Sequence, residues 1–189
     1  MSAKIESITA REIMAARGTV GLAVTVTTDT GATGRSTPST GVSMGKYEAA
    51  FVVDGGSRFG GRGLRQAVQN VDSLAPELVG MEVRRQREID ARMIELDGTP
   101  NKRRLGANVL VGISLAVCKA AAYAAGLPLY QYIGGANACQ YPMPIFGICL
   151  CGRYRDPGKT RWLKPSYEII PYGALGFEDA VERAYEVQR

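Results

Sequence analysis

The stretch STGVSMGKYEA, residues 39–49, holds the residue types best suited to chemistry: small side chains, two glycines and a lysine directly after the second. Such a composition opens two readings, a phosphate cradle or a loop serving a site built elsewhere. A P-loop requires four residues between its glycines and then Lys followed by Ser or Thr, so that backbone N–H groups wrap the phosphates and a hydroxyl reaches the metal. Here Gly41 and Gly45 enclose three residues, and Tyr47 follows Lys46. The cradle reading fails on spacing and on chemistry. The chain has no histidine, which excludes Ser-His and Cys-His nucleophile pairs and any imidazole metal ligand. Its four cysteines, Cys118, Cys139, Cys149 and Cys151, supply one C-x-C pair without a second pair at zinc-finger spacing. They read as buried free thiols.

The elements around this loop follow from the apolar periodicity. KIESITAREIMAA (4–16) shows short alternation, TVGLAVTVTTDTGATGR (19–35) carries a β-branched run ending in a Gly-rich turn, and YEAAFVV (47–53) follows. These segments predict a three-stranded antiparallel meander with the 39–49 loop between the second and third strands. From Gly63 the period becomes helical. Leu64, Ala67, Val68 and Val71 fall at i, i+3, i+4 and i+7; Ile89, Met93 and Leu96 repeat the pattern; Asp97-Gly98 ends it. NVLVGISLAVCKAAAYAAG (108–126) is apolar around most of its circumference and predicts a buried central helix, with PLYQYIGG (128–135) as a short last one. After ANACQYPMP (136–144) come two strands, MPIFGICL and SYEIIPYG, around a Gly/Arg/Lys-rich loop, then the amphipathic helix GFEDAVERAYEVQR. Two strands and one helix cannot bury both faces of a sheet, so this tail reads as the beginning of something larger.

The chain of 189 residues has room for one domain plus a fragment of a second, and its 46% hydrophobic and 22% charged composition is that of a globular protein. No run approaches the roughly 18 apolar residues of a membrane span, and the start lacks an apolar signal region, so no membrane is expected and the location expected is cytoplasmic. The net charge of +5 is spread, with local groups at Arg84–Arg87 and Asn101–Arg104. Acidic neighbours and the scarcity of interleaved aromatics point to solvated faces rather than to nucleic acid.

Four segments then carry a specific likeness. IESITAREIMAARG, GVSMGKYEA, the long MIELDGTPNKRRLGANVLVGISLAVCKAAAYAAGLPLYQYIGG and EIIPYGALGFEDAV fall in the order found in enolases, the phosphopyruvate hydratases. The resemblance implies an α+β fold: a three-stranded antiparallel meander, a bundle of about four helices, and a C-terminal β-β-α stub. Residues 1–138 resemble the family's N-terminal capping domain, and 142–189 resemble the opening of its barrel, as if truncated. The function implied is that of a glycolytic lyase, the magnesium-dependent dehydration of 2-phosphoglycerate to phosphoenolpyruvate. The family's corresponding loop, Ser-Gly-Ala-Ser-Thr-Gly, closes over the substrate. Aligning GVSMG with it gives Gly41 and Gly45 the flanking places and Ser43 the magnesium-contacting one, with Thr40 inserted and Met44 in place of Thr. Arg17 matches the arginine of the family's Asp-Ser-Arg-Gly. In the barrel loop the family has a histidine and, opening the second strand, Gln-Glu. Here Pro165 and Ser166 hold the Gln-Glu places, and Glu168, two residues on and on the same strand face, is the candidate replacement.

The family's magnesium carboxylates and lysine base lie on barrel strands that follow this segment, so the isolated chain is expected not to catalyse the family reaction. Three roles stay open: a dimerising or interacting module, an enzyme completed by another enolase chain that supplies the barrel, and a basic module binding anions or nucleic acid.

Overall fold

The computed structural model describes residues 2–15, 18–38, 45–150 and 166–189. The chain divides into two compact units, residues 1–138 and 139–189.

In the first unit, β1 (Ile5–Met14), β2 (Val20–Thr28) and β3 (Thr33–Ser36) form an antiparallel sheet in the order β1-β2-β3. On β2 the buried residues Leu22, Val24, Val26 and Thr28 alternate with half-buried ones, so one face of the sheet supplies core. Ile8 pairs with Val26, Ala10 with Val24 and Glu12 with Leu22, which puts Glu12 on that same face, at the far end. Helices α1 (Arg65–Leu78), α2 (Gln86–Asp97), α3 (Ala107–Ala124) and α4 (Leu129–Gly134) follow. Pro76 lies inside the last turn of α1, where it has no N–H to give to the Asp72 carbonyl one turn back. The cluster of Leu22, Val24, Val26, Val71, Leu78, Ile89, Met93, Ile113 and Val117 joins sheet and helices into one core.

The third strand departs from the sequence expectation. It is Thr33–Ser36, reached by a tight turn at Asp29–Gly31, and YEAAFVV is not a ladder strand. The 39–49 loop therefore follows the sheet instead of interrupting it. The cause is a close approach: a Cβ on Gly34 would lie 1.9 Å from the Ala116 carbonyl oxygen and 2.4 Å from the Ala120 nitrogen. Only glycine lets β3 lie against the α3 backbone.

A second expectation also yields. Helix α3 is long and apolar enough to cross a membrane by length and composition, yet its apolar surface lies largely in the core, with Val109, Ile113, Ala116, Val117, Ala120 and Ala121 fully buried. The thiols are a third correction. Cys118 is half-buried and Cys139 exposed, both free, because Cys118 lies off the core face of α3 and Cys139 lies beyond the last helix of the first unit. The side chains of Cys149 and Cys151 lie outside the described residues.

The second unit is a hairpin of β4 (Phe146–Leu150) and β5 (Ser166–Ile169) with helix α5 (Phe177–Gln188). Leu175 and Tyr172 are almost fully exposed, while Ala180 and Ala184 of α5 are buried.

Candidate functional site

Arg17, Gly41 and Ser43 lie outside the described residues, so the site is built from the stems that flank the 39–44 loop. Both stems rest on α3. On the near side, Ser36 Oγ at the end of β3 donates to the Gly112 carbonyl at 2.5 Å, and Lys119 Nζ donates to the Arg35 carbonyl at 3.0 Å. On the far side, the Asn108 side chain clasps Val52 through both of its backbone groups. The Val52 N–H donates to Asn108 Oδ1 at 3.1 Å, and Asn108 Nδ2 donates to the Val52 carbonyl at 3.0 Å. The Ala107 N–H donates to the Ala50 carbonyl at 2.7 Å and the Ala50 N–H to the Asn101 carbonyl at 2.8 Å. Asn108 and Gly112 are four residues apart and share one face of α3, so a single helix turn fixes both ends of the loop.

Gly45 begins the far stem in a short turn. Its N–H donates to Glu48 Oε2 at 2.9 Å, and the Glu48 N–H returns to the Gly45 carbonyl at 3.2 Å. Lys46 Nζ sits 5.3 Å from the centre of the Tyr47 ring, and Tyr47 is 92% exposed. The lysine that looked like a phosphate ligand lies over its neighbour's ring.

The start of α3 is set by a buried carboxylate. Asp97 is fully buried, accepts from the N–H of Thr99 at 3.0 Å and of Leu105 at 2.7 Å, and is bonded by the Thr99 hydroxyl. Burial pushes its carboxyl up, but the Thr99 hydroxyl, the two N–H groups and Arg104 outweigh burial and hold it below the usual range. Arg104 Nε also donates to the Asp97 carbonyl at 2.9 Å, and Arg84 and Arg85 pair with Glu82 and Glu88. Members of both basic groups noted in the sequence thus bond within the fold.

A cluster that sequence reasoning missed joins three elements. Arg58 clamps Glu12 of β1 with two bonds, Nη1 to Oε1 at 2.7 Å and Nη2 to Oε2 at 2.6 Å. The Leu64 N–H donates to Glu12 Oε1 at 2.6 Å, and Asp54 lies 3.7 Å from Arg58. Asp54 in turn accepts from the N–H groups of Arg65 and Gln66, capping α1. The Arg58 guanidinium, opposed by burial and helped by the Leu64 N–H, holds the Glu12 carboxyl down at about 2. The signal was present: Glu12 continues the Ile8, Ala10 alternation, and a charge at an apolar register position needs a partner. Glu82, also held at about 2, receives Arg84, the Ser2 hydroxyl and the Ala3 N–H.

Glu168 lies on β5, exposed and opposite Gly147 of β4, in the second unit. Among the described residues no group of three or more His, Cys, Asp or Glu side chains could hold a metal ion. Glu12 and Asp54, which share Arg58, are turned onto it and onto backbone N–H groups. These residues do not fit a magnesium centre.

Comparison with known proteins gives the family. The family model for the N-terminal domain of enolase matches residues 5–133, from β1 through α4. The enolase of Acidothermus cellulolyticus is 46% identical over 185 residues, 97% of this chain and 42% of the relative. The enolases of Thermococcus gammatolerans (46% over 179 residues) and Methanothrix thermoacetophila (44% over 187) cover 94% and 98% of the chain and 41% and 44% of their own lengths. The chain thus spans about two-fifths of the curated relatives it matches. A family model matched over residues 5–133 and a relative 46% identical over 97% of the chain lead to one assignment: the chain belongs to the enolase family.

Proposed function

We propose that this chain is the capping part of an enolase-type lyase: residues 1–138 form the cap, 142–189 open the barrel, and the 39–45 loop serves a substrate site that barrel strands complete. The observation that carries the reading is the double anchorage of the loop on α3, through Ser36 on Gly112 and Asn108 on Val52, inside the segment matched to the enolase N-terminal domain. A loop that must deliver a hydroxyl to a site needs rigid stems more than rigid residues of its own. Ser43, between Gly41 and Gly45, supplies that hydroxyl, and Arg17 lies beside the same site by the family's pattern.

The family's reaction removes a proton alpha to a carboxylate and expels hydroxide, giving phosphoenolpyruvate from 2-phosphoglycerate. Magnesium, when bound, neutralises the charge that develops. The carboxylates held lowest in the cap, Glu12 and Glu82, are poor bases and are committed to arginine and backbone N–H groups. In this reading the chain by itself does not catalyse the reaction and acts in the cytoplasm through association, with a second copy or with a chain that supplies the barrel. The exposed Phe177, Tyr185 and Leu175 of the second unit favour association over an anion-binding role.

The test is an assay of phosphoenolpyruvate formation by the purified chain with magnesium, alone and after co-expression with the barrel segment of a relative. We expect no turnover alone and activity with the barrel segment. Turnover by the chain alone would overturn the inert reading, and failure to form any complex with the barrel segment would overturn the cap reading.

A further inference from the structure

The turn between Asp54 and Gly63 is an Ω-shaped strap whose ends meet: the Asp54 N–H donates to the Gly63 carbonyl at 2.8 Å and the Gly55 N–H to the Gly61 carbonyl at 3.0 Å. Its backbone is held in an unusual state. Phe59 sits at φ 51 and ψ 34, the left-handed region, with Gly55, Gly56, Gly60 and Gly61 also at positive φ. Glycine takes that conformation freely, whereas a bulky residue there is an outlier that its surroundings must enforce. Core packing does not enforce it here. Phe59 is 49% exposed, and the strap borders an open depression of about 370 Å³ lined by Gly55, Gly56, Ser57, Arg65 and Gln66. Arg58 lies 4.4 Å from the Phe59 ring centre and reaches past it to Glu12. Asp54 and Arg65 are the other charged groups beside that pair.

We propose that the Asp54–Gly63 strap is a two-state element in the cap, latched shut by Glu12 and biased to open by the conformation stored at Phe59. Glu12 holds the strap at two points, the Arg58 guanidinium and the Leu64 N–H, so one carboxylate ties β1, the strap and the start of α1. With no buried side chain from Arg58 to Gly61, the strap is held by two carboxylates, Glu12 from β1 and its own Asp54 on α1, and such a segment can open on its own while the core stays closed. Opening turns Arg58 and the Phe59 ring loose together.

Hydrogen exchange of the full chain at neutral pH tests this. Glu12→Gln keeps the shape and removes the charge, and we expect exchange of the amides of residues 54–64 to rise about tenfold or more, with the α3 core amides unchanged. Gly63→Ala should do the same, because its Cβ would fall 2.3 Å from Asp54 Oδ2 and 3.0 Å from Arg58 Nη1. Unchanged strap exchange in both variants, or a rise matched by the core, overturns the proposal. Phe59→Gly and Phe59→Ala remove the same ring but differ in the left-handed penalty. The glycine variant should protect the strap about 5- to 30-fold more than the alanine variant. Equal protection overturns the stored strain.

Discussion

The two units use the same materials to different ends. In the first, the sheet and four helices meet around Leu22, Val24, Val26, Ile113 and Val117, none of which reaches solvent. In the second, a hairpin and one helix leave Tyr172 at 94%, Leu175 at 95% and Phe177 at 68% exposure. Both units combine antiparallel strands with helices. The difference is one of layers: α3 closes the face of the three-stranded sheet, whereas α5 buries little beyond Ala180 and Ala184. A two-stranded sheet has two faces and one helix to cover them. Closure depends on topology, and one helix leaves much of the second unit's apolar surface exposed.

The largest effect that would sharpen this contrast lies at Gly34. A methyl there meets backbone atoms of Ala116 and Ala120, which cannot swing aside as a side chain would. Gly34→Ala must drive β3 off α3 and should destabilise the first unit by about 4 kcal/mol or more. Urea denaturation followed through exchange of β2 amides measures it. An unchanged midpoint would mean that sheet and helix are not packed as closely as the backbone implies.

Next in size is acid. The Glu12 and Glu82 carboxyls are held at about 2 in the fold against an ordinary 4.5, so each stabilises the folded state fully above that ordinary value. The contribution, at most about 3 kcal/mol each, is lost as pH falls from about 4.5 toward 2. Asp179 of the second unit is also lowered, by Arg183 and then by the Leu175 N–H, but at the open surface, where solvent screens the pair. Acid titration of stability should therefore act mainly on the first unit, and Glu12→Gln should flatten its profile. A steeper loss in the second unit would reverse the comparison.

Much of this was legible in the residues. Alternation marked β1, a β-branched run β2, the 3.6-residue period α1 and α2 and all-round apolarity α3, and the dense match from Met93 to Gly135 carried the family. The third strand was not legible, because TGRS is four polar or small residues whose strand character comes from the space beneath α3. YEAAFVV misled for the converse reason. Its pattern is that of a strand, but Asn108, Ala107 and Asn101 take the backbone groups of Ala50 and Val52 that a neighbouring strand would have used. The Glu12–Arg58 pair was hidden by separation: its members stand 46 positions apart in sequence, and only the register of β1 on β2 turns Glu12 inward.

The smallest predicted effect tests the second unit directly. Gly147 lies on β4 opposite Glu168, is exposed, and a Cβ built there would meet nothing within 4 Å. In an exposed strand, replacing glycine by alanine removes backbone freedom from the unfolded chain without adding a clash. Gly147→Ala should change the stability of the isolated chain by less than about 1 kcal/mol, in the stabilising direction. The contrast with Gly34 is then complete, since the same added methyl is intolerable under α3 and harmless on the hairpin. The two outcomes part again in the presence of a barrel-supplying chain. If that chain covers β4, the harmless methyl becomes an obstacle, and Gly147→Ala should weaken the complex while leaving the free chain intact. A binding isotherm unchanged by the substitution would place any partner elsewhere than on this face of the hairpin.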